Sequence, residues 1–269
     1  FCAGTRFNRR MGLPKFLSGA EIRVHLAPGA LIACEVQRTW GRPYVSRKAS
    51  FQFFGGERPE AMAALKAWIQ ESAPARRSLV WIVGPTEAQY FILPWSPEWV
   101  DPDSRCAYAR AHYEQVYSTD SRSVSFCFAD PSPDGGQLVS CISSALHAEL
   151  ADFAAECGCE LGAIRPSVAA VWKRFQSVLK AEEGTLCVVE GDHQALIRHD
   201  RNQIREIVVR RRTAQQTMDA ALKGVVRRFA NTAERGGLSG GMVDLRLPAK
   251  QGFDTRGDAT YAVALCGAL

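Results

Sequence analysis

The stretch CVVEGDHQALIRHD, residues 187–200, has the pattern of an apolar strand, a tight polar turn and a second strand. A comparable pattern stands near the start of the chain in HLAPGALIACEV, residues 25–36, where Pro28 and Gly29 mark the turn. The two hairpins also share the triplet Ala-Leu-Ile, at residues 30–32 and 195–197. We interpret them as equivalent parts of a duplicated unit.

Each hairpin begins the same predicted order of three strands, a helix and a closing strand. After the first hairpin these elements are the stretches 44–54, 57–74 and 78–84. After the second they are the stretches 203–212, 213–234 and 242–249. The helix at 213–234 is predicted from an apolar stripe that includes Val225, Val226 and Phe229. The repeated order predicts two lobes of the same α/β type.

Two βββαβ units, each with a mixed sheet flanked by helices, are typical of the two-lobed actin-like architecture of Hsp70, actin and sugar kinases. The cleft between the lobes is the expected ligand site. The predicted parts are an N-terminal extension (1–20), a first lobe (21–166), a connecting helix (167–183), a second, smaller lobe (184–258) and a C-terminal helix start (259–269).

The amino-acid composition argues against several classes of function. Of the 269 residues, 46% are hydrophobic and 23% are charged, as in ordinary folded proteins. The net charge of +5 is mild, and the densest basic run, Arg210 to Arg212, has no aromatic residue beside it, so nucleic acid is not an expected partner. No apolar run reaches the length of about 18 to 20 residues that spans a membrane. Nine scattered cysteines predict free thiols and a reducing, cytoplasmic location.

Two local stretches carry a resemblance to a known group of proteins. YFILPWSPEWVD with the following YARAHYEQVY lies within residues 90–117, and DATYAVALCGAL forms residues 258–269. They resemble the cytoplasmic actin-like proteins of type IV pilus and type II secretion machines, the PilM-like and GspL-like families. The resemblance implies a non-catalytic scaffold that docks an assembly ATPase and the cytoplasmic tail of an inner-membrane partner. It implies a location at the inner face of the inner membrane, held there through partners, and is compatible with a homodimer.

The hairpins lack the residues that hold nucleotide in active members of the actin-like superfamily. Those members place Asp-x-Gly in one hairpin of each lobe, where the aspartate positions Mg²⁺ and the glycine admits phosphate close to backbone amides. No acid lies in the strand from Ile22 to Leu26 before the first turn, and Pro28 removes one amide donor. Two residues before Gly191 stands Val189, and Glu190 is predicted on the opposite face of the strand.

We therefore predict no catalytic residue, no metal site and no cofactor. The alternative is an ATP-binding protein with atypical phosphate loops, in which Gly29, Gly191 and Asp192, with the glycine-rich loop 236–241, hold ATP and Mg²⁺. An ordinary hairpin turn explains the same residues, because two-residue turns favour Gly and Asp for conformational reasons.

The predicted partner-binding residues are of two kinds. Trp95, Trp99, Tyr108 and Tyr113 surround the LPWSP turn and the helix after it, where they serve either as docking anchors or as packing of a strand–helix junction, and Trp95, Trp99 and Tyr113 are the predicted anchors. The arginines are Arg210, Arg211 and Arg212 at the end of a predicted strand. An exposed strand edge is a further predicted docking mode, since a partner's tail can add to it as a strand.

Overall fold

The computed structural model describes residues 20–39, 42–72, 77–96, 101–129, 136–179, 183–200, 203–212, 225–230 and 241–267. The first sheet has the order β3-β2-β1-β4-β8. Its strands are β1 (Ala20–Ala27), β2 (Ala30–Thr39), β3 (Arg42–Gln52), β4 (Arg77–Val83) and β8 (Glu160–Pro166). The first three strands are antiparallel neighbours, whereas β4 is parallel to β1 and β8 is parallel to β4. This mixed sheet is the core of the predicted first lobe.

The second sheet repeats this order strand for strand, as β11-β10-β9-β12-β13. Its strands are β9 (Glu183–Glu190), β10 (His193–Asp200), β11 (Gln203–Arg211), β12 (Val225–Ala230) and β13 (Gly241–Met242). The strand β12 runs parallel to β9, as β4 does to β1. Topology therefore supports the predicted duplication.

The helix predicted over 213–234 is wrong at residues 225–230. Val225, Val226 and Phe229 lie in β12, which supplies the closing strand of the repeated unit. Residues 213–224 and 231–234 lie outside the described residues. The strand predicted at 242–249 is also too long, because only Gly241–Met242 pairs and residues 243–248 have no regular structure. Pairing of β12 with β9 and burial of Phe229 against Phe175, with ring centroids 5.2 Å apart, outweigh the helical spacing of the apolar residues.

The turns of the two equivalent hairpins place glycine at different positions. Gly29 is the second turn residue with φ +76°, as in a type II turn with proline before it. Gly191 is the first turn residue with φ +60°, as in a type II′ turn. Ala30 follows its turn directly, whereas Ala195 is the third residue after its turn, so the shared triplet is out of register. The hairpins correspond in topology and not in this triplet.

The helices begin and end where the local sequence favours it. They are α1 (Arg58–Gln70), α2 (Pro102–Tyr117), α3 (Ser144–Glu156), α4 (Ser167–Leu179) and α5 (Ala262–Leu265). Proline stands in the first turn of α1 and α2, and the Asp101 carboxylate caps α2 by accepting the amides of Asp103 and Ser104, both at 2.8 Å. Ser143 caps α3 in the same way through the Leu146 amide at 3.1 Å. The helix α4 packs against strands of both five-stranded sheets.

A third, antiparallel sheet has the order β5-β7-β6 and its own small core with α2. Its strands are β5 (Ala88–Leu93), β6 (Val124–Phe128) and β7 (Gln137–Ser143). The main core is continuous from the first sheet through α4 to the second sheet, and its members include Ile22, Val171 and Phe229. The predicted domain boundaries stay predictions.

Two predictions about the chain as a whole can be compared with the described residues. Within them, no helix is both long and apolar enough to cross a membrane. Seven of their cysteines are free thiols, and Cys106 is disulfide-bonded, so the prediction of free thiols is wrong at Cys106.

Candidate functional site: a polar cluster between the two hairpins

The two equivalent hairpins meet through a buried histidine and a buried glutamate. His25 lies in β1, and Glu190 is the last residue of β9 before the second turn. His25 Nε2 lies 2.6 Å from Glu190 Oε2, and each side chain is 3% exposed. Because a carboxylate accepts, the hydrogen of this bond belongs to Nε2. The contact joins the first sheet to the second sheet.

The other carboxylate oxygen of Glu190 is also occupied. The Ser167 hydroxyl, at the first residue of α4, donates to Glu190 Oε1 at 2.5 Å. Ser167 is fully buried. The N-terminus of a helix carries a partial positive charge, which favours an acidic group there. Glu190 thus links β1, β9 and α4 through one side chain.

Gly84, the residue after β4, makes room for this carboxylate. Its amide donates to Leu26 O at 3.0 Å. A Cβ at residue 84 would lie 2.8 Å from that carbonyl oxygen and 3.3 Å from Glu190 Oε2. A side chain would therefore collide with the backbone of β1 and crowd the carboxylate, so the position requires glycine for space.

Tyr90 of β5 lies against the same cluster. Burial raises the pKa of its hydroxyl, and the negative charge of Glu190 raises it further. The Val168 amide and the Ser167 hydroxyl act in the opposite sense, which places the Tyr90 hydroxyl beside the N-terminus of α4. Two atoms of the cluster, His25 Nδ1 and the Tyr90 hydroxyl oxygen, are buried and have no hydrogen-bond partner in the structure. A buried polar atom without a partner is uncommon and calls for a physical explanation.

Gly29, Gly191 and Asp192 of the predicted alternative, an ATP–Mg²⁺ site, lie in the two turns rather than in this cluster, and residues 236–240 of its glycine-rich loop lie outside the described residues. Gly29 and Gly191 have the positive φ that their turns require. Asp192 is directed along its own sheet, because its carboxylate lies 2.5 Å from His193 Nδ1 and 3.6 Å from Arg211 Nε. Its side chain is 59% exposed. The described residues hold no group of three or more His, Cys, Asp or Glu side chains that could bind a metal ion.

The predicted aromatic anchors differ in how far they are exposed to solvent. Trp95 follows β5 and is 62% exposed. Trp99 lies outside the described residues. Tyr113 is 2% exposed; its hydroxyl donates to Gln89 Oε1 at 2.9 Å and its ring packs against Phe91 and Phe126. Tyr113 therefore belongs to the small core and presents no surface to a partner.

The predicted basic residues lie at the end of β11, an edge strand of the described second sheet. Arg210 pairs across the sheet with Gln194, and Arg211 pairs with His193. The Arg212 amide donates to Asp192 O at 2.6 Å, which holds this strand end to the turn of the second hairpin. The side chain of Arg211 is 77% exposed.

The sequence interpretation missed the three residues of the inter-lobe cluster. It placed Glu190 on the face opposite Val189, which the structure bears out, since Val189 packs in a separate small cluster on the other face of the second sheet. Only the packing of the two sheets shows that the face of the second sheet that carries Glu190 contacts the first lobe. The signal present in the sequence was an acid at the end of an apolar strand, with a histidine near the end of the equivalent strand.

Comparison with known proteins places the fold. No protein-family model and no curated protein matches the chain. The solved PilM–PilN type IV pilus biogenesis complex superposes with a TM-score of 0.67 and 13% identity, over 91% of this chain and 96% of that one. The cytoplasmic domain of EpsL, an inner-membrane component of the type II secretion system of Vibrio cholerae, superposes with a TM-score of 0.54 and 11% identity, over 93% of this chain and 99% of that one. The predicted structural resemblance is confirmed, and this chain has the actin-like fold of those proteins.

Proposed function

We propose that this protein is a non-catalytic scaffold of a type IV pilus or type II secretion assembly. In this role it docks an assembly ATPase and the tail of an inner-membrane partner on the cytoplasmic side. The likeness in fold to a pilus biogenesis complex and to an inner-membrane secretion component supports the proposal. A location at the inner face of the inner membrane, held through those partners, belongs to the same proposal.

The observation that carries the non-catalytic part is the closed contact between the hairpins. Nucleotide phosphates need positive charge, amide donors or a bound Mg²⁺ between the two lobes. Here that place holds the Glu190 carboxylate, already bonded to His25 and Ser167. A second negative group beside it would meet like-charge repulsion at short range in a buried setting. The Glu190 carboxylate therefore disfavours turnover of ATP.

Two surface features, exposed Trp95 and the arginines around exposed Arg211, are the proposed docking points. Trp95 offers a large, rigid apolar surface of the kind that dominates binding energy at protein interfaces. Arg210, Arg211 and Arg212 offer positive charge at the edge of the second sheet, suited to an acidic segment of a partner. A partner's tail could also add as a strand at a sheet edge.

Affinity capture from the native host tests the scaffold role. We expect an assembly ATPase or an inner-membrane component of a pilus or secretion machine to be retained by the wild-type chain. Trp95→Ala or the triple change of Arg210, Arg211 and Arg212 to Glu should reduce capture, whereas Phe54→Ala, a change of an exposed aromatic side chain outside the predicted anchors, serves as the matched control. Capture of no such component would contradict the proposal.

Calorimetry with Mg-ATP tests the absence of nucleotide binding. We expect no binding by the wild-type chain in the micromolar range. Micromolar binding that is lost in Asp192→Ala would favour the alternative, in which Gly29, Gly191 and Asp192 hold ATP and Mg²⁺.

A further inference from the structure

We propose that the Glu190 carboxylate occupies a site between the lobes that would otherwise bind a phosphate-like anion. In that position it holds the two hairpins together without a ligand. In this view His25, Ser167 and the N-terminus of α4 are the anion-receiving groups, and the chain supplies the anion itself. The inference rests on the proposed function, because it explains how a scaffold keeps its lobes closed without nucleotide.

The chemistry of the contacts matches an anion site. The ring nitrogen of His25 and the hydroxyl of Ser167 both donate, one to each carboxylate oxygen, at 2.6 and 2.5 Å. Such charge-assisted bonds are short and stronger than bonds between neutral groups. The α4 helix has 13 residues, so its N-terminus contributes a full helix dipole to the same place. A phosphate oxygen would be bound by these same donors.

The buried residues of the cluster enclose the Glu190 carboxylate. His25, Ser167 and Glu190 are at most 3% exposed, and Gly84 leaves room where any other residue would crowd Glu190 Oε2. The Tyr90 hydroxyl, which is buried and has no hydrogen-bond partner, lies beside the same helix N-terminus, so the cluster has a donor that the carboxylate does not use. A larger tetrahedral oxyanion has more oxygens than a carboxylate to meet the remaining capacity.

The position of Glu190 makes the contact a link between lobes. Glu190 ends β9 in the second sheet, whereas His25 lies in β1 of the first sheet, 165 residues earlier. Ser167 begins the helix that packs against both sheets. Removing the carboxylate should therefore loosen both hairpins, not only the strand that carries it.

Hydrogen exchange on a double-mutant cycle tests the link. The variants are His25→Ala, Glu190→Ala, both together, and Glu206→Gln as a control that removes the charge of an exposed glutamate paired with Arg198 at 3.0 Å. We expect Glu190→Ala to speed amide exchange roughly tenfold or more in residues 25–29 and in residues 189–192 alike. The double variant should be no faster than Glu190→Ala alone, since the two side chains act as one contact. Faster exchange confined to residues 189–192, or additive effects, would overturn the proposal.

Inorganic phosphate tests the anion site directly. In Glu190→Ala, millimolar phosphate should slow exchange in both hairpins and raise the melting temperature more than sodium chloride of equal ionic strength does. The wild-type chain and Glu206→Gln should not respond. Should Glu190→Ala fail to fold, Glu190→Ser carries the same test with a smaller polar side chain. An equal response of wild type and variant, or none in any variant, would show that no anion site lies beneath the carboxylate.

These outcomes are separable from those of the proposed function. Partner capture and Mg-ATP binding are measured on the wild-type chain, whereas the anion site is measured on Glu190 variants. If the protein is a scaffold but the Glu190–His25 contact does not link the lobes, partners are captured and Glu190→Ala does not speed exchange in both hairpins. If the contact links the lobes but the protein is not a scaffold, exchange speeds up in both hairpins and no partner is captured.

Discussion

A buried arginine provides the sharpest test of how the C-terminal segment is held. Arg23 of β1 is 1% exposed, and burial lowers its pKa while the bond to Glu21 acts to raise it. Its Nε donates to Ala264 O at 2.6 Å, and its Nη2 donates to Cys266 O at 2.8 Å. Its Nη1 lies 2.6 Å from Glu21 Oε1. The guanidinium therefore caps the last carbonyls of α5 from within the first sheet.

We expect Arg23→Met to lower the free energy of unfolding by about 3 to 5 kcal/mol, the typical cost of removing one partner from a buried charged contact. The change would leave two buried carbonyl oxygens and the Glu21 carboxylate without their donor. Arg23→Lys should fall between, because one ammonium lacks the planar fork that reaches all three acceptors. Urea unfolding measures the free energies, and hydrogen exchange at residues 262–266 reports whether α5 detaches first.

Arg165→Met is the matched control. Arg165 also donates to a C-terminal carbonyl, Gly267 O at 3.2 Å, but from an exposed position. Its loss should change the free energy of unfolding by no more than about 0.5 kcal/mol. Equal effects of Arg23→Met and Arg165→Met would refute the argument, because burial would then not decide the cost.

Three further predictions concern space, pH and surface. Gly84→Ala should destabilise the fold by about 1 to 3 kcal/mol in urea unfolding, since its Cβ would meet Leu26 O at 2.8 Å; an unchanged midpoint would contradict the crowding argument. Burial alone would raise the pKa of Glu35, but hydrogen bonds, the largest from Gln37, hold it below the ordinary value of 4.5. Its stabilising contribution is therefore present above pH 4.5 and is lost as the pH falls through the lower folded value, so wild type should lose more stability than Glu35→Gln over that acid range. Trp95→Ala should leave the melting temperature unchanged within about 2 °C while it weakens partner capture, and a large drop in melting temperature would show that Trp95 packs against the fold.

The first lobe could be predicted closely because its signals are local. The turn of β1 and β2 is marked by Pro28 and Gly29, and α1 begins next to a proline, so each element is specified within a few residues. The same holds for α2 and α3, whose caps Asp101 and Ser143 lie directly before them. Local hydrogen bonds and backbone preferences act in the unfolded chain as well as in the folded one, and a pattern in the sequence therefore records them.

The strand β12 could not be predicted in this way. Val225, Val226 and Phe229 fit the stripe of a helix, and no local feature opposed it except Gly224, a residue that a helix tolerates at a cost of about 1 kcal/mol. Only the parallel pairing with β9, whose residues lie about 40 positions away in the chain, decides that this segment is a strand.

Sequence alone determined the duplicated α/β plan, the hairpins and the absence of an Asp-x-Gly pair in them. Tertiary structure decided which side chains form the contact between the two hairpins. Glu190, His25 and Ser167 come from three elements and meet only when the two sheets pack on α4. The reason is physical: alternation along a strand determines which side chains share a face, but what that face meets depends on contacts between residues far apart in the chain.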